Sequence, residues 1–451
     1  MTLILGAGLA GLSVSWHLGH ENCLLLEQRP HAFGHIHSRQ RDGFTWDEGP
    51  HVSFTKHEYV RQLFARSVGG KFEEFEVRAG NYFRGSWIDH PAQTSLHQLP
   101  EPLRSECLES FLATRRSAGL APPPRHYAEW LEQAFGPRFA QTLPAAYTRK
   151  YWTVPADELT TAWTGPRVLN PSVEDVVAGA KGPLDRSRYY ITRVRYPSLG
   201  GYESFARELG RGARIEFGAE VTGIDLVERK VRTSSGAEFG FSRLVNTLPL
   251  PAFVRTCAQA TCQVLEAAEA LACTRLLLVN ATAPHLARRP ETWFYVYDEE
   301  KLATRVNFTE HLSPSNAPRG TTGVQTEVYF SRHSPQNEPA PAIAAKVVRE
   351  LVEIGVIDRD DLERGRVASR VIDVPWANVI FNHDREAALE LILGWLEQFG
   401  LARESDELLP GCDWDARPAS APGAICLAGR FGQWKYFWTD DCVLRGRALA
   451  R

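Results

Sequence analysis

Residues Thr2 to Glu27 leave this chain few folding options. Thr2–Leu5 is a short apolar run that reads as a buried strand. It leads directly into Gly6-Ala7-Gly8-Leu9-Ala10-Gly11, then an apolar helical pattern, then CLLLE, a second buried strand that closes on Glu27. Strand, G-x-G-x-x-G, helix, strand and acid in one unit is the pattern of a dinucleotide-binding βαβ unit. Gly6 permits the tight turn, Gly8 lets a pyrophosphate approach the backbone, and Gly11 lets the helix pack on the sheet. The helix N-terminus supplies free N–H groups and partial positive charge for the phosphates. Glu27 is placed to take the ribose hydroxyls.

The rest of the chain is compatible with a large enzyme. Its 451 residues suffice for several domains, and 43% hydrophobic residues allow a full core. The formal net charge of -3 argues against nucleic acid or an anionic membrane as the main partner. Eight scattered cysteines without a C-x-x-C pair read as free thiols in a reducing cytoplasm. The first eighteen residues lack a positive leader and carry the glycine motif, so no signal peptide is expected. No apolar run reaches the length of about 18 residues needed to span a membrane. Residues 334–342, HSPQNEPAP, read as a surface loop.

The stretch Arg29 to His51 favours FAD over NAD. In many FAD enzymes this region carries Gly-Gly, Arg or Ser, then Asp-x-Gly, which brings loop backbone to the flavin side. Here Gly34 is followed by His35, so the second glycine is missing, while FTWDEGPH (44–51) keeps the remainder. His31, His35, His37 and His51 fit no ligand spacing, and no metal site is expected.

Several further motifs resemble the flavin superfamily of protoporphyrinogen oxidase, amine oxidase and UDP-galactopyranose mutase, and most closely the longer, eukaryotic type of mutase. They are WDEGPHV (46–52), GSW (85–87) followed by PAQ (91–93), KYWTVP (150–155), AWTGPRV (162–168), YPSLGG (196–201), WFY (293–295) with Arg305, and GRFGQWKY (429–436). The resemblance implies noncovalent FAD, active when reduced; the reductant is left open, with NAD(P)H one candidate. It implies interconversion of the pyranose and furanose forms of a UDP-linked or related sugar, beginning with attack of the reduced flavin on the anomeric carbon.

By the same resemblance His51, Arg167, Arg305 and Tyr436 are the expected catalytic residues. Arginine suits the leaving diphosphate because its planar fork matches phosphate oxygens. Gln93, Trp152, Tyr295 and Asn378 join Arg167, Arg305 and Tyr436 on the substrate side. Gly6, Gly8, Gly11, Glu27, Gln28, Arg29, Gly34, His35, Gly49, His51, Val221, Arg430 and Asp440 are the expected cofactor contacts. The chain departs from the family in three places: Asn378 replaces a tyrosine, Pro50 replaces a glycine, and Phe437 and Trp438 replace asparagines. An oxidase or dehydrogenase of the protoporphyrinogen or amine type is the alternative activity, and a flavoprotein without turnover is a third.

The resemblance also implies a fold that is not collinear with the chain: an α/β, Rossmann-like FAD-binding domain with an inserted helical subdomain and an antiparallel-sheet substrate domain. Residues 1–75, 185–255 and 410–451 would form the FAD domain. Residues 95–184 carry helical periodicity, and residues 265–400 contain alternating runs that read as an antiparallel sheet followed by a return helix. Within the middle piece, residues 214–246 read as a β-meander ending in a buried strand, Leu244 to Asn246. The expected partner is a small nucleotide sugar, and the expected location cytoplasmic.

Overall fold

The computed structural model describes residues 1–116, 121–165, 168–185, 193–403 and 423–450. Arg167 lies outside them. At the centre is a five-stranded parallel sheet in the order Ile425–Leu427, Arg243–Asn246, Thr2–Leu5, Cys23–Glu27 and Ile215–Phe217. Leu3, Ile4, Leu5 and Leu25 are fully buried, as strands covered on both faces require. The strands come from the start, middle and end of the chain, so this layer forms only when distant segments meet.

The helix Leu9–Leu18 packs against the last helix, Thr439–Ala448. Small residues set their approach. A Cβ on Gly446 would lie 2.3 Å from Ser13 Oγ, and the Ser13 hydroxyl donates to the Val443 carbonyl at 2.7 Å. A Cβ on Gly11 would lie 2.1 Å from the Gly6 carbonyl oxygen, so the helix can sit on its own turn only as glycine.

A second, seven-stranded sheet runs Ala368–Val374, Arg275–Ala283, Thr322–Phe330, Arg305–Phe308, Trp293–Val296, Ala79–Phe83 and Ser86–Asp89. All neighbours are antiparallel except Trp293–Val296 and Ala79–Phe83, which run parallel. Two features extend the sequence reading. The sheet recruits residues 79–89 from far upstream. Its apolar face is also covered by the helix Ala340–Glu353, which buries Ile343, Ala344, Val347, Val348 and Leu351 against Val279, Val306 and Val324. That spacing is helical, and it falls inside a stretch otherwise dominated by alternation.

The expected meander divides. Ile215–Phe217 joins the edge of the parallel sheet, and only Val221–Asp225, Lys230–Thr233 and Glu238–Gly240 form the three-stranded antiparallel ribbon. Residues 95–184 fold largely as helices, including Leu103–Arg116, Tyr127–Phe135, Pro144–Trp152 and Val173–Lys181. Arg385–Glu397 is the helix after the second sheet.

Gly446→Val should force the two long helices apart and cost roughly 1–3 kcal/mol of stability. Urea unfolding checks this, and an unchanged midpoint would show that the helices do not need the close approach.

Candidate active site

A cavity of about 790 Å³ opens between the parallel sheet and the seven-stranded sheet. One half is built by the N-terminal motif. Gly6 has φ 96°, and a Cβ there would meet Thr247 Oγ1 at 2.5 Å. Gly8 is the N-cap of the helix Leu9–Leu18, and the first helical bond runs from the Leu12 N–H to the Gly8 carbonyl. The N–H groups of the first turn are therefore left for a ligand. Gly34 closes over Gly8 so tightly that its own Cβ would be 3.0 Å from Gly8 Cα. Glu27 is buried and accepts the Ala7 N–H through Oε2 and the Arg29 N–H through Oε1, each at 2.9 Å. It ties the glycine turn to the end of the second strand. Gln28, His35, Gly49, Val221, Arg430 and Asp440 also line the cavity.

The segment 47–51 crosses the middle of the cavity and hangs on one carboxylate. Asp47 is buried and accepts from the Ser38 hydroxyl at 2.5 Å, the Tyr196 hydroxyl at 2.7 Å and the Tyr202 N–H at 3.0 Å. Burial pushes its pKa up to about 6, against those three donors. Glu48 carries an ion pair to Arg29 at 3.1 Å and contacts with His35 and Arg39. Burial would raise its pKa, but the adjacent His35 and the charge of Arg29 outweigh it and hold Glu48 at about 2. Arg29 is thus engaged within the protein. His51 stacks on Tyr202, with ring centroids 5.4 Å apart, and its Nδ1 hydrogen-bonds the Gly49 carbonyl at 2.9 Å. Burial first, then Arg430 and Arg305, lower its pKa to about 4, so it is neutral at neutral pH.

The other half is walled by Tyr151, Trp293, Tyr295, Tyr329 and Tyr436. Arg305 is clamped side-on by Glu327, Nε to Oε2 at 2.8 Å and Nη2 to Oε1 at 2.6 Å. Burial opposes the charged guanidinium, yet Glu327 raises its pKa well above the ordinary value. Arg430 donates to the carbonyls of Phe437 and Ala377 and to Asn378 Oδ1, and lies over the Tyr436 ring. The Tyr151 hydroxyl bridges Tyr436 at 3.0 Å and Asn378 at 3.3 Å.

The structure therefore gathers His51, Tyr295, Arg305, Asn378, Arg430 and Tyr436 around one cavity. Trp152 stands elsewhere: it is 3% exposed and packs behind Tyr151 and Tyr436, away from the cavity lining. Gln93 is likewise outside the lining. Glu327, Tyr329, Asp47 and Tyr202 were missed by the sequence reading. A signal for two of them exists in TGVQTEVYF (322–330), where Gln325, Glu327 and Tyr329 alternate with Val324, Thr326 and Val328.

The family model described as flavin containing amine oxidoreductase matches residues 9–451. Among solved structures, a reduced UDP-galactopyranose mutase superposes with TM-score 0.85 at 20% identity, covering 99% of this chain and 93% of that one. A putative protoporphyrinogen oxidase from Exiguobacterium sp. 255-15 gives 0.72 at 18% identity, over 100% and 97%. A putrescine oxidase mutant gives 0.61 at 14% identity, over 100% and 97%. At these identities the likeness is one of fold.

Gly8 has φ -72°, and an added Cβ would meet only Gly34 Cα, at 3.7 Å. Gly8→Val should therefore leave the protein folded by circular dichroism yet unable to retain flavin; retention of flavin would contradict this reading of the turn. His51 titrates near 4 here and near 6.5 when unfolded. As pH falls through that window the unfolded chain takes up the proton first, so stability is lost on acidification. His51→Gln should shrink the loss between pH 6.5 and 4 by up to roughly 3 kcal/mol, read from unfolding midpoints against pH.

Proposed function

The chain belongs to the flavin containing amine oxidoreductase family, and within it we propose an FAD-dependent nucleotide-sugar mutase that interconverts pyranose and furanose forms of a UDP-linked or related sugar. The observation that carries the reading is the polarity of the substrate half. Arg305, Asn378, Tyr151, Tyr329 and Tyr436 turn hydrogen-bonding groups towards one tyrosine-walled space. An apolar substrate would bury this polar surface without adding hydrogen bonds to it, whereas a diphosphate and sugar hydroxyls would add them.

The residues of the other half fit the cofactor. The Gly8–Gly34 contact leaves room for a pyrophosphate against backbone, and the first helical turn offers N–H donors. In this reading Glu27 takes the ribose hydroxyls, Val221 meets the adenine, and Arg430 and Asp440 approach the flavin. Flavin held noncovalently in its reduced form would supply the electron pair that attacks the anomeric carbon.

The chain's own groups then bind and orient. Arg305 has no described partner for Nη1, which is left to donate to a diphosphate oxygen. Arg167 is assigned the second cationic contact. The Tyr436 hydroxyl adds a donor, and the Tyr295 ring a face for the uracil. Neutral His51 can hydrogen-bond a substrate hydroxyl without adding charge beside the flavin.

An oxidase or dehydrogenase is the second reading, favoured by Glu327, whose carboxylate cancels the charge of Arg305. The redox requirement separates the two. Dithionite-reduced protein under nitrogen should exchange the ring forms of a UDP-hexose, with oxidised protein inactive. Oxygen consumption with an amine or apolar substrate, and no exchange, would overturn the mutase reading in favour of the second.

Arg305→Lys keeps a cation beside Glu327 but loses the fork. It should weaken UDP binding roughly 10-fold, and Arg167→Ala roughly 10- to 100-fold, with flavin retained in both. Calorimetry on the reduced holoprotein measures this; wild-type affinity in both variants would remove the diphosphate assignment.

A further inference from the structure

The cations of the cavity are compensated to different degrees. Among its described lining residues, Arg29 pairs with Glu48, Arg255 with Glu269 and Arg305 with Glu327. Arg430 donates, among the described residues, to carbonyl oxygens and the Asn378 amide oxygen. Among the described residues the Arg305–Glu327 pair is the one that stands in the tyrosine-walled half, so its electrostatics bear directly on the substrate.

The pair is rigid for reasons visible in the sheet. Arg305 lies directly across from Glu327 on one neighbouring strand and from Tyr295 on the other. Glu327 accepts both guanidinium bonds and a third from the Tyr329 hydroxyl at 2.9 Å. The carboxylate is nearly sealed, at 2% exposure of its side chain against 24% for Arg305. Its Oε1 is 3.5 Å from where a Cβ on Gly49 would stand, so the 47–51 segment covers it. The side-on clamp uses Nε and Nη2 and leaves Nη1 for a ligand.

We infer that Glu327 is a specificity-determining residue that sets the charge of the phosphate this cleft accepts, favouring an esterified phosphate with one negative charge over a terminal phosphate with two. The inference rests on the nucleotide-sugar reading above. An oxygen bound at Nη1 sits one guanidinium width from the Glu327 carboxylate, on the order of 6–7 Å. The guanidinium balances one negative charge besides Glu327 poorly and a second not at all. Each phosphate of a nucleotide sugar is substituted on two sides, by an ester and by the anhydride bridge, and carries one charge, whereas free nucleoside diphosphate ends in a group that can carry two. Glu327 thus biases the cleft towards the intact nucleotide sugar.

The test uses the reduced holoprotein with UDP and its terminal methyl ester, which differ in the terminal charge. Wild type should bind the ester more tightly, by roughly 5- to 30-fold for one extra charge at that distance in a partly desolvated site. Glu327→Gln keeps the shape and acceptor oxygen, so UDP should tighten more than the ester and the preference should collapse. Glu327→Asp keeps the charge and should keep the preference. Equal binding of the two ligands by wild type, a preference for UDP, or a preference unchanged in Glu327→Gln would overturn the inference while leaving the mutase reading standing. The wild-type comparison decides even if the Gln variant fails to fold. If the flavin-loaded wild type binds neither ligand, the nucleotide-sugar reading itself falls, and the inference with it.

Discussion

The close approach of the first helix to its own turn and to the last helix is the constraint on which the rest of the structure depends. Gly11 over the Gly6 carbonyl and Gly446 against Ser13 leave no room for a side chain at either contact. They seat Leu9–Leu18 on the central strand and bring Thr439–Ala448, from the far end of the chain, beside it. Once the two ends are joined, the segment 429–440 must pass the open end of the parallel sheet. That passage carries Arg430, Tyr436 and Asp440 to the cavity. Ligand sites in open parallel sheets form at such strand ends, where helix N-termini point outward.

The opposite wall follows from the pleat. Successive side chains alternate between faces. In Thr322–Phe330, Val324 and Val328 join the core under the helix Ala340–Glu353, while Glu327 and Tyr329 reach the cavity. In the next strand Val306 and Phe308 are core residues and Arg305 is the cavity residue. A buried cross-strand Arg–Glu pair is costly unless well hydrogen-bonded. Here two guanidinium bonds and one tyrosine hydroxyl satisfy the carboxylate.

Between these walls the 47–51 segment is held from both sides. The Asp47 side chain gathers Ser38, Tyr196 and Tyr202, and its carbonyl accepts from Gln325 Nε2 at 2.9 Å, which reaches across from the seven-stranded sheet. Tyr202 continues the chain of contacts to His51 by stacking and to Thr439 by a hydroxyl–hydroxyl bond at 2.9 Å. A buried carboxyl thereby positions a neutral histidine through rigid neighbours, without touching it.

The N-terminal unit was legible because its information is local. Strand length, glycine spacing and the closing acid all lie within Thr2 to Glu27, and each residue's task follows from backbone sterics. The buried strand at Leu244 to Asn246, the helices of residues 95–184 and the alternation of the second sheet were readable for the same reason, since periodicity is a short-range property. Resemblance to a family supplied Arg305, Tyr436 and Arg430, which no local rule would single out. Other features were decided by the tertiary structure. Ile215–Phe217 left the meander for the parallel sheet because an edge strand there had unpaired backbone groups to satisfy. Trp152 packs into the core behind Tyr151 and Tyr436, which form the cavity wall. Glu327 looks like any acid in a β-rich stretch until the register sets it opposite Arg305. Register and strand recruitment depend on residues hundreds of positions apart, and the charge of a site is a sum over those partners, so only the assembled fold could determine it.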